Sequence, residues 1–568
     1  MKTSLLGLVI LSSVHSCLGA IYDSIAELPR NQSFDFIVVG GGNAGNVVAN
    51  RLTESSFSVL VLEAGPSYDI HPMLHKQFFS RFNRPEGLLN YTVPFFGQFT
   101  HVVPNPRDWN YTATPLPGLN GRTPTFPRGR LLGGCSSMNG MQYVRGLKED
   151  YDRYARNEHW TPPVDNHNQT GQFNPTVHGF HGINTVSLPG FLFPTDGMVQ
   201  QVTQELSDEF PFNLDYNSGF PLGVSWSQAT IKHGKRSNSF TLYLGPEFIG
   251  RPNLHVVLNT QVTRVIQTKQ GINCLLFPNV TSTLCISATK EVIISAGSIE
   301  TPKLLMNTGI GDPMVLPSLG IKPRVNLPDF GKNLSVHTGV LLSYFVNSTD
   351  TFDDIFRNLT VRQILLDQWL ATDGGGRLSA SLSGHSVFMR LPLDSSVLAA
   401  HADPAARPNS LHIQSGAEVS YPPTTSINVG ATLVTPTSRG TIALKITDPF
   451  DNPLIDLGCL STDFDITAIR EGMKSALQFI GAKAWDGDAD LEAYVCTHAA
   501  PNGHVVGTAT KSPRGANYGV VNPDLIVKGV QHLRVVDASV WPYVPAGNTQ
   551  ASVYILARAT DLIKATWE

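Results

Sequence analysis

Charge is scarce in this chain. Asp, Glu, Lys and Arg make up 15% of its 568 residues, the formal net charge is −4, and no basic run breaks the pattern. Nucleic acids and anionic membranes, which select clustered Lys and Arg, are therefore poor partners. Cysteine is equally sparse, at six, with no CxxC pair and no Cys/His cluster at metal-ligand spacing, so the sequence offers no metal site. Long apolar runs are missing as well. The N-terminal stretch 5–11 is far too short to span a bilayer, and no later one is long enough. Internal repeats and low-complexity segments are also absent.

What is present begins with a targeting pattern. Lys2, the apolar stretch 5–11 and the small residues Gly19 and Ala20 read as a cleaved secretory signal over 1–20. Eight Asn-x-Ser/Thr sequons, at Asn31, Asn90, Asn110, Asn168, Asn279, Asn333, Asn347 and Asn358, agree with a secreted, extracellular glycoprotein carrying N-glycans. Removing the signal takes Cys17 away and leaves five cysteines. Cys274 and Cys285 flank a hairpin and could pair, as could Cys459 and Cys496, which would leave Cys135 as the odd thiol; spacing leaves these pairings open.

The stretch 34–65 carries the strongest signal. An apolar, β-branched run (34–39) reads as a buried parallel strand. Gly40-x-Gly42-x-x-Gly45 follows at once, then a helical pattern through Val47, Val48, Ala49 and Leu52, then a second strand ending in Glu63, 23 positions after Gly40. Each part has a task at a dinucleotide: a tight turn, close backbone approach to the pyrophosphate, close helix–sheet packing, and a carboxylate for the ribose. The helix N-terminus adds free N–H groups for phosphate. This pattern alone does not separate FAD from NAD.

Further along, 66–125 reads as a long irregular segment, of a kind that often wraps a ligand. A second glycine-rich turn lies at 127–140. Helices are expected at 198–210, 298–306, 361–369 and 551–563, and strands at 253–266, 285–295, 426–434, 441–446 and 533–540. The alternating strands of 340–446 indicate a second, sheet-based lobe. The fold class is thus α/β (α+β overall): a Rossmann-like nucleotide-binding lobe, discontinuous in sequence, beside an antiparallel-sheet substrate-binding lobe. Residues 34–180, 230–330 and 500–568 are assigned to the first, and 181–229 and 331–499 to the second.

Four blocks in this order, the 34–65 fingerprint, GRLLGGCSSMNGMQYVRG (129–146), GSIETPKLLMNTGIG (297–311) and the C-terminal stretch from GHVVGTATK to ATDLIKA, resemble the glucose–methanol–choline (GMC) oxidoreductases. Within that family the chain looks most like secreted fungal aryl-alcohol oxidases and pyranose dehydrogenases. The resemblance implies FAD rather than NAD. It implies that Gly40, Gly42, Asn43, Ala44, Gly45 and Glu63 hold the ADP half, that the backbone of Val262 meets the adenine, and that Asp537 lies near the pyrophosphate or ribityl chain, with an N-cap as its ordinary alternative. Gly133, Gly134, Ser136 and Asn139 would line the isoalloxazine, with Asn548 and Thr549 at its other edge.

The implied activity is oxidation of a primary or secondary alcohol, with oxygen or a quinone as electron acceptor. The alternatives are a sugar dehydrogenase using quinones and a flavin protein without turnover. The matching positions make His504 the base, its ordinary pKa of about 6.5 suiting proton abstraction, and Asn548 the anchor for the substrate oxygen. Relatives that tether flavin do so through a histidine where this chain has Met138, so non-covalent FAD is expected. The aromatic gate of aryl-alcohol oxidases falls on Gly140 and Gly503, and the loop at 418–425 is shortened. Two helix-forming segments usual in the family are missing, one between Ala155 and Glu158, the other between Trp485 and Asp490.

Overall fold

The computed structural model describes residues 20–29, 32–68, 89–101, 105–145, 158–193, 195–268, 271–277, 284–345, 352–381, 383–405, 409–419, 426–480, 494–554 and 557–568. The signal segment through residue 19, the sequons at Asn31, Asn279 and Asn347, the side chains of Cys274 and Cys285, and both places of the missing family segments lie outside these described residues.

Two six-stranded sheets organise the molecule. The first is parallel throughout, in the order Ala20–Tyr22, Leu254–Val257, Val59–Leu62, Phe34–Val39, Ala288–Ile294, Leu533–Val535. Its inner strands are covered on both faces, which is why they are near-continuous in Val, Ile, Leu and Phe rather than alternating; every residue of Val59–Leu62 is buried. The helix Asn43–Leu52 crosses from Phe34–Val39 to Val59–Leu62. The second sheet is antiparallel, in the order Ala500–Pro501, Thr338–Phe345, Ser426–Leu433, Ile413–Val419, His385–Met389, Gly223–Trp226. The helix Asp463–Phe479 packs on it so closely that a Cβ on Gly472 would sit 3.0 Å from Ala431 and Ile413.

Several elements differ from the sequence expectation for identifiable reasons. The strand expected at 253–266 breaks at Asn259, whose φ of 49° is left-handed. Leu254–Val257 stays in the parallel sheet, and Arg264–Thr268 starts a separate three-stranded sheet. The strand expected at 441–446 is only Thr441–Ala443, paired outside both large sheets with Leu454–Asp456. The strand at 533–540 stops at Val535, because Asp537 turns to cap the short helix Ala538–Val540. The helix at 198–210 runs Asp196–Glu205, the one at 361–369 extends to Leu359–Ala371, and the closing stretch is helical over its described residues Thr549–Tyr554 and Ala557–Trp567. Within 66–125 lie a short helix, Pro94–His101, and a strand pair, Tyr111–Thr112 with Thr125–Phe126. Pro302 lies inside the helix Gly297–Asn307. Proline cannot donate to the Ser298 carbonyl, and that oxygen accepts from Thr508 Oγ1 at 2.6 Å instead. Cys459 is a free thiol buried in the core, which removes the pairing with Cys496.

The C-terminal strand is tied to the parallel sheet by a buried ion pair. Arg534, 1% exposed, donates from Nε to Glu291 Oε2 at 2.7 Å and from Nη2 to Oε1 at 3.2 Å. Trp567 Nε1 on the last helix donates to the same carboxylate at 2.8 Å. Removing one partner of such a pair leaves a buried charge unanswered. Glu291→Ala is expected to cost about 3–5 kcal/mol of stability, read as a lowered melting temperature.

Candidate active site

Two cavities meet between the sheets. The first, about 1140 Å³, opens at the ends of the strands Phe34–Val39 and Val59–Leu62. Ligands of open parallel sheets bind there, beyond the carboxyl ends of the strands. Gly40, at φ 104°, turns the chain where a Cβ would lie 2.4 Å from the Ser295 carbonyl oxygen. Gly45 lets the helix approach its strand, since a Cβ there would sit 1.9 Å from the Gly40 carbonyl oxygen. At Gly42 the position of a Cβ meets only Gly134 Cα, at 3.9 Å, so the backbone there is open to a ligand. Gly42 caps the helix Asn43–Leu52 without a side chain, leaving first-turn N–H groups of Asn43 and Ala44 on the cavity wall free for an anion.

Glu63 stands on the same wall. Its Oε2 accepts from the Gly41 amide at 2.8 Å and its Oε1 from the Gly65 amide at 2.8 Å. Burial pushes the carboxyl up to about 7, against the pull of those two amides and of Arg130. Each oxygen keeps a lone pair for a further donor. Val262 and Asp537 also line this cavity. The Asp537 side chain, however, is spent internally: it accepts from the Gly297 amide, Thr301 Oγ1, the Ser539 amide and Ser539 Oγ. Burial still holds its carboxyl above the ordinary value. It is a clamp between two helix starts, so the capping alternative describes it.

The second glycine turn is bonded to the first. The Gly133 amide donates to the Gly41 carbonyl at 2.7 Å, and the Ser136 amide to Asn43 Oδ1 at 3.2 Å. Gly134 reaches the first cavity, but Gly133, Ser136 and Gly45 line neither. Ser136 is fully buried, its hydroxyl bonded to the Gly133 carbonyl and to Ser239. It buttresses the turn instead of facing a ligand.

The second cavity, about 1680 Å³, shares Asn43, Arg128, Cys135, Gly503 and Thr549 with the first. Asn139, His504 and Asn548 line it. Asn139 is held by Gln550 and Arg236, and its Oδ1 also accepts from the Met141 amide. His504 Nε2 lies 3.4 Å from Asn548 Nδ2, and His504 Nδ1 lies 3.0 Å from His337 Nδ1. Burial, then His337, then Arg128 hold the His504 imidazole well below its ordinary value, so its ring is uncharged at neutral pH. Burial likewise pushes His337 down to about 4.

The rest of the wall is rich in amides and hydroxyls: Gln142, Gln228, Gln414, Gln550, Ser227, Ser383, Ser386 and Thr432. Among the described residues, Phe126 is its one aromatic ring besides the histidines. Gly140 and Gly503 stand on this wall. The sequence reading missed Arg128 and His337. Arg128 sits where the cavities join, donates to the Gly503 carbonyl, and lies 4.5 Å over the Phe126 ring; its place in the PRGRLLGG block was the available signal. His337 had none, being one of 17 histidines and 167 positions from its partner.

Comparison with known proteins agrees with this geometry. A dehydrogenase, eriK, of Hericium erinaceus is 38% identical, the match covering 98% of each chain. Pyranose dehydrogenase 3 of Leucoagaricus meleagris is 35% identical over 96% of this chain and 95% of the relative. Among solved structures, an FAD-dependent oxidoreductase from Chaetomium thermophilum superposes with a TM-score of 0.80 at 25% identity, over 94% of this chain and 99% of the other. A fungal aryl-alcohol oxidase shares the fold at a TM-score of 0.77 and 24% identity, over 94% and 99%. Two models described as GMC oxidoreductase match residues 34–339 and 436–557. With both glycine turns and His504 inside those spans, which cover more than half of the residues, the chain belongs to the GMC oxidoreductase family.

Proposed function

We propose that this protein is a secreted, FAD-dependent oxidoreductase that oxidises a CH–OH group to a carbonyl. GMC oxidoreductases bind FAD, and the first cavity fits it: an open Gly42, an uncapped helix start and a buried carboxylate with spare lone pairs suit a pyrophosphate and a ribose. Gly40, Gly42, Asn43, Ala44, Glu63 and Val262 would hold the ADP half. Gly134, Asn139, Asn548 and Thr549 would flank the flavin where the cavities join. FAD, when bound, supplies a two-electron acceptor for hydride. The segments 34–180, 230–330 and 500–568 form the FAD-binding domain in this reading, and 181–229 and 331–499 the substrate-binding domain.

The observation that carries the proposal is the convergence of His504 Nε2 and Asn548 Nδ2 on the wall of a polar cavity. A substrate hydroxyl placed between them donates to His504 Nε2 and accepts from Asn548 Nδ2. His504 takes the hydroxyl proton as the oxygen lone pair forms the carbonyl and the α-hydrogen leaves as hydride. The wall of amides and hydroxyls favours a substrate with several hydroxyls, such as a sugar, over an aryl alcohol, whose ring would find one aromatic partner, Phe126. The pyranose dehydrogenase relatives agree with that preference.

Secretion rests on the N-terminal pattern, and no helix among the described residues is long and apolar enough to cross a membrane. Asn168 and Asn358 are exposed sequons open to glycosylation. At Asn110 and Asn333 the Nδ2 atoms are tied to backbone carbonyls, which makes them poor acceptors in the folded chain.

The deciding experiment is anaerobic titration of the purified yellow protein with D-glucose and benzyl alcohol. Bleaching of the flavin bands supports turnover, with glucose expected to act the faster; a flavin that neither bleaches would return the protein to a binding role. Readmitting air then separates an oxygen user from a quinone user. His504→Ala should keep the flavin and slow its reduction by about 10²–10⁴-fold. Because the His504 pKa is lowered, the base stays neutral as pH falls. The reduction rate should therefore remain flat through pH ~6.5, where an ordinary imidazole titrates, and decline only below it. Met138, buried beside the second cavity, offers no nucleophile for tethering, so acid precipitation should release all the flavin to the supernatant.

A further inference from the structure

The backbone delivers His504 by a local irregularity. Thr338 and Gly339 pair with Pro501 and Ala500 in the antiparallel sheet, and Ser335 pairs again with Val506. Between those pairings the chain takes five steps from Pro501 to Val506 but only three from Thr338 to Ser335. The two surplus residues bulge, with Gly503 at φ 73°, and a bulge re-aims a side chain. His337 lies inside the shorter arm. Its carbonyl accepts from the Asn502 amide at 2.8 Å, and its ring meets that of His504 edge-on, centroids 5.0 Å apart and planes at 86°.

Two ring nitrogens 3.0 Å apart need one proton between them. Both histidines are neutral at neutral pH, so each ring carries one N–H and one lone pair. Two surroundings decide where the shared proton sits. On the cavity side, Asn548 directs Nδ2, a donor, at His504 Nε2, which requires a lone pair there. On the core side, His337 is fully buried, its Nδ1 faces His504 and its Nε2 has no hydrogen-bond partner among the described residues, while the backbone carbonyls of Pro545 and Val434 favour a proton on the ring. Carbonyl oxygens favour an N–H over a second lone pair. Both surroundings select one arrangement: His337 protonated on Nε2, His504 protonated on Nδ1, and the bond running from His504 Nδ1–H to the His337 Nδ1 lone pair.

We propose that His337 is a positioning residue that fixes His504 in the Nδ1–H tautomer, so that the His504 Nε2 lone pair faces the substrate hydroxyl. This rests on the reading of His504 as the base. The hydroxyl proton then arrives at Nε2, and the resulting imidazolium still donates from Nδ1 to the same uncharged acceptor. A neutral histidine in this place orients the base without adding a negative charge beside it, unlike the carboxylate that orients the histidine of a serine-protease triad.

The test uses the FAD-loaded protein with ¹⁵N-labelled histidine, the His504 resonances assigned by their loss in His504→Ala. The expected spectrum has His504 Nε2 bare and Nδ1 protonated; a protonated Nε2 in the resting protein would overturn the proposal without any substrate. In His337→Leu the acceptor is gone. Both tautomers should become populated, and flavin reduction by D-glucose or benzyl alcohol, whichever bleaches the parent protein faster, should slow on the order of 10²-fold at unchanged substrate Kd. His337→Asn restores an acceptor oxygen close to the Nδ1 position and should recover at least about tenfold of the rate. Equal losses in the Leu and Asn variants, or none in Leu while His504→Ala is slow, would overturn the tautomer role and leave the base intact. Unchanged reduction in His504→Ala would instead remove the base, and this proposal with it.

Discussion

The site depends on one seam, the place where 500–506 leaves the antiparallel sheet and turns toward the parallel one. Ala500–Pro501 still belongs to the former, while Ser298 Oγ, at the start of the helix that follows Ala288–Ile294, donates to the Val505 carbonyl at 2.9 Å. Within those few residues the chain passes from one sheet to the other. The bulge at Asn502–Gly503–His504 occurs at that passage, so the histidine is held from both sides. In the proposed role of base such support matters, because a misplacement of about 1 Å can cost two orders of magnitude in rate.

Beyond that seam the C-terminal segment is itself anchored to the parallel sheet. Leu533–Val535 closes the edge of the parallel sheet, Arg534 locks onto Glu291, and Asp537 gathers the start of the helix Gly297–Asn307 against the short helix Ala538–Val540. The Asp537 side chain thus holds together two backbone segments that line the cavity on whose wall it also stands. Ser136 acts in the same way for the second glycine turn. Near a cofactor the residues in contact are often backbone, and polar side chains brace that backbone.

The sequence was most legible where structure is local. The fingerprint, its helix and its acid occupy one continuous stretch, and the parallel strands announce themselves by unbroken β-branched runs. It was less legible where a single left-handed residue diverts the chain, as at Asn259, or where a side chain ends a strand, as at Asp537. His504 and Asn548 were accessible only through resemblance, since nothing in the periodicity of 500–550 marks them. His337 was beyond reach of either route. Its meaning arises from a register difference between two segments more than 160 positions apart, and register is a property of the folded pair.

Gly503 shows how the shape of the substrate cavity follows from these constraints. An aromatic gate at this position is not merely replaced by glycine here. At φ 73° the residue occupies the left-handed region that side chains disfavour, and a Cβ would lie 3.1 Å from Arg128 Nη2, tighter than ordinary contact. Arg128 in turn donates to the Gly503 carbonyl and stands at the joint between the two cavities. The bulge that aims His504, the arginine at the joint and the glycine at 503 are therefore one arrangement. A larger residue at 503 would displace Arg128 or unmake the bulge, and either would move the base. The shape of the cavity wall at Gly503 follows from how this chain positions its histidine, and the amides and hydroxyls behind it offer hydrogen bonds to whatever enters.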